Sequence, residues 1–259
     1  MSLENRIAIV TGASAGIGLA IAEALSAAGA RMVINARRQD RLDEVAARLG
    51  VEKTVAVAGD CADVSVIGSM LSTAKNRFGR DADLIVVNAG RGLKGSVLDS
   101  DASQWEEMIR TNLLGAAHLC RGAGQRMLAG VEGDAKVGKA WSETARDIIV
   151  IGSVVGRNVS PFSSMYGSTK FAVAGLAEGL RRELGPKGIR VTLVSPGFVV
   201  SEFQGVAGYA EEWFKGVVEK IGPVLTPEDV ARTVAFIVAQ PAHCHVSDVV
   251  VRPTRQDYP

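Results

Sequence analysis

Seven short apolar, often β-branched runs along this chain alternate with segments that carry apolar residues at helical spacing, and that alternation leaves few folds open. The runs are Arg6 to Val10, Arg31 to Asn35, Lys53 to Val57, Leu84 to Val87, Ile148 to Ile151, Arg190 to Val194 and Asp248 to Arg252. The intervening helices are expected over Gly16 to Ala28, Arg38 to Leu49, Asp63 to Phe78, Ser103 to Met127 or Leu128, the stretch around Tyr166 ending at Gly185, and Pro227 to Gln240. Strands that alternate with helices pair in parallel, with the helices as crossovers.

The fold class predicted is therefore α/β: one Rossmann-type domain over residues 1–259, a doubly wound parallel sheet of about seven strands with helices on both faces. With 259 residues of which 47% are hydrophobic, the chain can cover both faces of such a sheet. Two segments stand outside the pattern. Residues 131–145 lie in a polar surface excursion, readable as a flap, an extra helical turn or an oligomer contact. Residues 198–225 carry Phe203, Tyr209, Trp213 and Phe214 at uneven spacing, as a variable substrate wall would.

Ligands of open α/β sheets lie beyond the carboxyl ends of the strands, and Ser14, Arg37, Asp60, Asn88, Ser153 and Gly197 all fall there. Between the first strand and its helix, Thr11 to Gly18 holds Gly12, Ser14, Ala15, Gly16, Ile17 and Gly18, with glycines spaced G-x-x-x-G-x-G. Such a turn lets backbone approach a pyrophosphate, and the helix behind it presents free N–H groups. The second strand lacks the acidic residue that would bond a ribose 2′-hydroxyl. Arg37 and Arg38 follow instead, which points to NADP(H), with Arg37 favoured for the 2′-phosphate and Arg38 also readable as a solvated helix start. Asp60, ahead of Cys61, is open to two roles, adenine ligand or turn former. Asn88-Ala89-Gly90 closes the fourth strand with small residues that let a cofactor pass, and Pro196-Gly197, ahead of Val199, forms a rigid turn after the sixth.

Tyr166 and Lys170 are four residues apart, so on a helix they share a face. An ammonium beside a phenol favours phenolate and brings a group that titrates near ~10 toward neutral pH. Ser153, at the end of the fifth strand, is placed to donate to a substrate oxygen next to that phenol. Asn112 sits inside a predicted helix, where its amide competes with the backbone; on the residues alone it reads as a local distortion or an exposed position.

The net charge of +1, well mixed, makes no case for nucleic acid or an anionic membrane. No apolar run reaches the length of a membrane span, so a soluble, cytoplasmic protein is expected. Cys61, Cys120 and Cys244 are scattered and read as reduced thiols, and His243-Cys244-His245 lacks metal-ligand spacing. Arg91, Arg157 and Asn158 stand where they would meet an anionic substrate group, and each reads equally as a solvated loop residue.

Over essentially its full length the chain resembles the short-chain dehydrogenase/reductase family, in the Thr11 to Gly18 turn, Asn88-Ala89-Gly90, Asn112, Ser153, Tyr166 with Lys170, and Pro196-Gly197. The resemblance implies a catalytic set of Asn112, Ser153, Tyr166 and Lys170: Tyr166 as general acid/base, Ser153 polarising the carbonyl, Lys170 binding the nicotinamide ribose and lowering the tyrosine pKa, and Asn112 anchoring a proton relay. It extends the cofactor contacts to Cys61, Tyr166, Lys170, Pro196, Gly197 and Val199. The C-terminal residues Gln240 to His243 and Val249 to Gln256 are similar to the branch of NADP-dependent 3-hydroxy acid (serine-type) dehydrogenases and clavulanate dehydrogenase. That similarity implies a small aldehyde or ketone, a semialdehyde among them, interconverted with its alcohol, in a homotetramer. A larger cyclic or acyl ketone is the alternative, favoured if Phe198, Phe203 and Trp213 line an apolar groove. A protein that binds NADPH without chemistry is the remaining class. Val87, where many relatives carry a further asparagine, and the long excursion before Arg146 depart from the family pattern.

Overall fold

The structure is a computed structural model that describes residues 2–158 and 160–258. Its strands, β1 (Ile7–Thr11), β2 (Arg31–Ala36), β3 (Thr54–Ala58), β4 (Leu84–Val87), β5 (Asp147–Ile151), β6 (Arg190–Pro196) and β7 (Asp248–Val251), form one parallel sheet in the order β3-β2-β1-β4-β5-β6-β7. The period-2 alternation of a strand splits each run between two cores. Ala8 and Val10 of β1 face one side with α1 (Gly16–Ala27), α2 (Gln39–Leu49) and α9 (Pro227–Val238). Ile7 and Ile9 face the other, against α3 (Val64–Phe78), α5 (Ala116–Lys136) and α6 (Ser164–Leu184). α4 (Trp105–Ile109), α7 (Phe203–Ala207) and α8 (Glu211–Ile221) complete the helices. None of the helices described is long and apolar enough to cross a membrane.

The predicted helix over Ser103 to Leu128 is instead a chain of pieces that runs further. α4 passes through a π-helical turn, Arg110–Gly115, into α5, which ends at Lys136. The excursion before β5 is thus helix for nearly half its length and pinned for the rest. Arg146 pairs with Asp134 at 2.6 Å, and its guanidinium lies 3.3 Å from where a Cβ on Gly130 would stand. Trp141 packs against Gly188, where any Cβ would come within 2.8 Å of the indole. Glycines that look like helix breakers in sequence here make room for side chains from elsewhere.

Where the strands begin, four charges are stitched together under the sheet. Arg6 donates to Asp83 and to Asp147, each at 2.7 Å, and Arg190 grips Asp147 with two bonds of 2.7 and 2.9 Å. Arg190 also donates to the carbonyls of Gln240, Pro241 and Cys244, each at 2.9 Å, tying the end of α9 to the sheet. Burial would lower the Arg6 guanidinium pKa, but Asp83 and Asp147 outweigh it and the net shift is upward. Asp147 has no exposed surface, so its removal leaves the buried Arg190 guanidinium without a counter-charge and Arg6 with Asp83 alone. Asp147→Ala is expected to destabilise the fold by about 3–5 kcal/mol. A urea midpoint equal to that of the parent would show that the network is not holding the sheet.

Candidate active site

The crossover order reverses between β1 and β4, and there the two strand ends part. Thr11 spans the gap: its hydroxyl donates to the Val86 carbonyl at 3.3 Å and accepts from the Asn88 and Ala89 N–H groups, both at 3.1 Å. Asn88 returns the link, its amide donating to the Thr11 carbonyl at 2.9 Å. The glycine turn closes tightly over this junction. A Cβ on Gly18 would lie 2.3 Å from the Gly12 carbonyl oxygen and 2.4 Å from the Asn88 amide. Gly12 and Gly16 have φ of +69° and +55°, a region L side chains rarely adopt.

A cavity of about 490 Å³ opens above the crevice. Gly12, Ala15, Gly16 and Ile17 form one wall, Asn88, Ala89 and Gly90 the floor, and Pro196, Gly197 and Val199 the far side. The bare backbone of the turn, facing the cavity at the start of α1, is the cradle a dinucleotide pyrophosphate requires, and the residues fit such a cofactor. Ser14, Gly18, Arg37, Arg38, Asp60, Cys61 and Asn112 lie outside the lining. Ser14 is nevertheless tied to the region by Arg38, which donates to its hydroxyl at 3.2 Å.

The two arginines take different directions. Arg37, favoured in the sequence for phosphate, is 76% exposed and lies 3.8 Å from Glu107; Arg38, at the start of α2, is the one turned toward the glycine turn. Asp60 behaves as a turn former, one oxygen accepting from the Ala62 N–H at 2.9 Å and the other pairing with Arg110. Burial, with Asp60 adding to it, pushes the Cys61 thiol up to about 11, so it stays protonated.

Ser153, Tyr166 and Lys170 meet on the cavity. The Ser153 hydroxyl oxygen accepts from the Val155 N–H at 3.3 Å, and the hydroxyl also hydrogen-bonds with the Tyr166 phenol. Lys170 donates from Nζ to the Ile151 carbonyl at 2.9 Å, and that nitrogen is 5.9 Å from the Tyr166 ring centroid. The expected lowering of the phenol pKa is absent. Burial raises Tyr166 well above its ordinary value, Ser153 pulls it back in part, and Tyr209 adds to the rise. Burial also lowers Lys170 to about 8. Desolvation penalises the charged form of each group, and it is the leading cause of both shifts.

Asn112 is at the local distortion that was one reading of its position. It sits in the π-helical turn, buried, with Oδ1 accepting from the Arg91 N–H at 2.8 Å and Nδ2 donating to the Arg91 carbonyl at 2.9 Å and to Thr169 at 3.0 Å. π-helical turns recur at functional sites; this one sets an amide between the loop after β4 and the residue preceding Lys170.

The remaining wall is aromatic. Phe203 lies 5.5 Å from Tyr166, Trp213 stacks on Tyr209 at 4.7 Å, and Phe198 meets Trp213 at 6.1 Å, all four lining the cavity. Gly92 accommodates Phe203, whose ring would come within 2.4 Å of an added Cβ. Gln256 was overlooked as a site residue: its side chain accepts from the Phe198 N–H at 3.0 Å and anchors the segment that carries the wall. The candidate anion contacts are spent elsewhere. Arg91 pairs with Glu107 and Gln104, and Arg157 with Asp248 and Ser195. Neither they nor Asn158 line the cavity, where Lys170 and Lys220 are the cations among the described residues, the latter 3.7 Å from Asp257.

The short chain dehydrogenase family model matches residues 6–211. An uncharacterized oxidoreductase of Staphylococcus saprophyticus is 32% identical, covering 98% of this chain and 99% of its own. Among solved structures, the closed form of a serine dehydrogenase complexed with NADP+ superposes with a TM-score of 0.83 at 29% identity, over 97% of this chain and 96% of that one. An alcohol dehydrogenase from Thermococcus sibiricus complexed with 5-hydroxy-NADP gives 0.80 at 26% identity, over 98% and 99%. A crevice at the strand-order reversal, a glycine cradle and a serine, tyrosine and lysine gathered beside it occur here in a chain that belongs to the short-chain dehydrogenase family of NAD(P)-dependent oxidoreductases.

Proposed function

We propose that the protein is an NADP(H)-dependent reductase that interconverts a ketone or aldehyde bearing a bulky apolar group, aromatic or cyclic, with its alcohol. The observation that carries this reading is the meeting, in one cavity, of Ser153 and Tyr166 with the wall of Phe198, Phe203, Tyr209 and Trp213. Large aromatic walls favour apolar ligands by the area they remove from water and by ring stacking. Preference for the phosphorylated dinucleotide is supported by Arg38 beside Ser14 and by the lack of an acidic residue at the end of β2.

The bound dinucleotide supplies the hydride. Ser153 donates its hydroxyl proton to the carbonyl oxygen in a hydrogen bond, and Tyr166 gives up its phenolic proton to the alkoxide as charge develops there. Both bonds strengthen only as the oxygen becomes negative, which lowers the barrier rather than deepening ground-state binding. The raised phenol pKa keeps Tyr166 protonated at neutral pH, the form that reduction consumes. Lys170, anchored on Ile151, holds the positive side of the site, and Asn112 positions the helix of both through Thr169.

A short 3-hydroxy acid is the second reading, supported by the likeness to a serine dehydrogenase and by Lys220 on the cavity. An NADPH-oxidation panel separates the two. Turnover is expected on aryl and cyclic ketones; turnover confined to short aldehydes carrying a carboxylate or sulfonate would remove the apolar assignment. Tyr166→Phe is expected to lower turnover by about 10²–10⁴-fold with NADPH affinity unchanged, and normal turnover in that variant would take the proton-transfer role from Tyr166. Alcohol oxidation requires phenolate and is expected to rise through the alkaline range, whereas reduction holds below about pH 8 and declines above it as Lys170 loses its proton. Parallel pH profiles in the two directions would contradict that assignment.

A further inference from the structure

Glu202 stands between the aromatic wall and the arginines beside the glycine turn. Its Oε1 accepts from Arg41 Nη1 at 2.8 Å and its Oε2 from Arg38 Nη2 at 3.3 Å. That same Arg38 nitrogen donates to Ser14 at 3.2 Å. Arg38 and Arg41 are three residues apart at the start of α2, so their guanidiniums reach one side of the helix together. The bonds to Arg41 and Arg38 hold the Glu202 carboxyl below its usual range. The side chain is 53% exposed, open to exchange with another anion.

The neighbours of Glu202 connect this clasp to the chemistry. Ser201 covers the glycine turn, its Cβ 3.3 Å from where a Cβ on Gly16 would stand. Phe203, the next residue and the first of α7, places its ring 5.5 Å from Tyr166. One short segment thus carries a carboxylate held by the arginines and an aromatic ring held on the catalytic phenol.

We propose that Glu202 is a specificity-determining residue that competes with the ribose 2′-phosphate for Arg38 and Arg41, so that phosphate binding releases the segment carrying Phe203. The idea rests on the NADP(H) reading above. A phosphate brings nearly two negative charges and three acceptor oxygens to guanidiniums that now share one carboxylate. A dinucleotide with a free 2′-hydroxyl lacks that charge and leaves the clasp closed. The wild-type protein therefore binds the phosphorylated cofactor less tightly than its two arginines alone would permit, and couples recognition of the phosphate to access at Tyr166.

Calorimetric titration of the full chain with NADP+, NAD+ and adenosine 2′,5′-bisphosphate tests this without any substrate. Glu202→Gln is expected to bind NADP+ and the bisphosphate about three- to tenfold tighter, the scale of one or two exposed ion pairs removed, with NAD+ unchanged. Adding Arg41→Ala should abolish the gain, as coupled sites do. Unchanged NADP+ affinity in both Glu202→Gln and Glu202→Ala, or a gain shared equally by NAD+, overturns the proposal. A wild-type protein that binds NAD+ as tightly as NADP+ would instead refute the cofactor assignment, because the Glu202 effect is read from the variant-to-parent ratio for each ligand separately.

Discussion

The site depends on how two strand ends are held where the sheet changes direction. β1 and β4 diverge at their carboxyl ends because the crossovers on either side lead to opposite edges, and unpaired backbone would face the gap. Thr11 and Asn88 satisfy that backbone from both sides. Only small residues then fit above the junction, as the contacts around Gly12 and Gly18 require. The opening for a dinucleotide is thus a consequence of closing the hydrogen bonds beneath it, and buried backbone groups leave little freedom in how that is done.

Burial governs the reacting groups more than proximity does. A phenol and an ammonium on one helix face look, by spacing, like a pair that stabilise each other's charge. In the folded chain the ammonium bonds a backbone carbonyl, and both groups move toward neutrality. At neutral pH the phenol therefore keeps its proton. Such poise comes from the protein packed around the pair, which no i,i+4 rule contains.

The arginines near the cavity are engaged in ion pairs away from its aromatic wall. Arg91 and Arg157 are engaged with Glu107 and Asp248, and the cations that remain near the cofactor side are held by Glu202. The wall opposite Tyr166 comes from a segment anchored by Gln256 at its start, with its aromatic rings packed on one another. The carboxylate that holds Arg38 and Arg41 and the aromatic wall of the cavity therefore lie in one stretch of chain, from Phe198 to Trp213.

The alternation of short apolar runs with helical segments was enough to define the parallel sheet, because period 2 and period 3.6 leave different marks on a sequence. The Tyr166 and Lys170 spacing, Ser153 past a strand end and the glycine turn were legible for the same reason: each is a local pattern with a geometric meaning. Tertiary structure decided what depends on distant partners. Arg38 rather than Arg37 turns to Ser14, Asp60 is occupied by Arg110, and α5 runs on to Lys136 because Arg146 fits against Gly130. Asn112 looked like a poor helix residue until the π-helical turn gave its amide Arg91 and Thr169 as partners. Side-chain pairing across 24 or 164 residues leaves no period in a sequence, so which arginine meets which anion is settled only once the chain is packed.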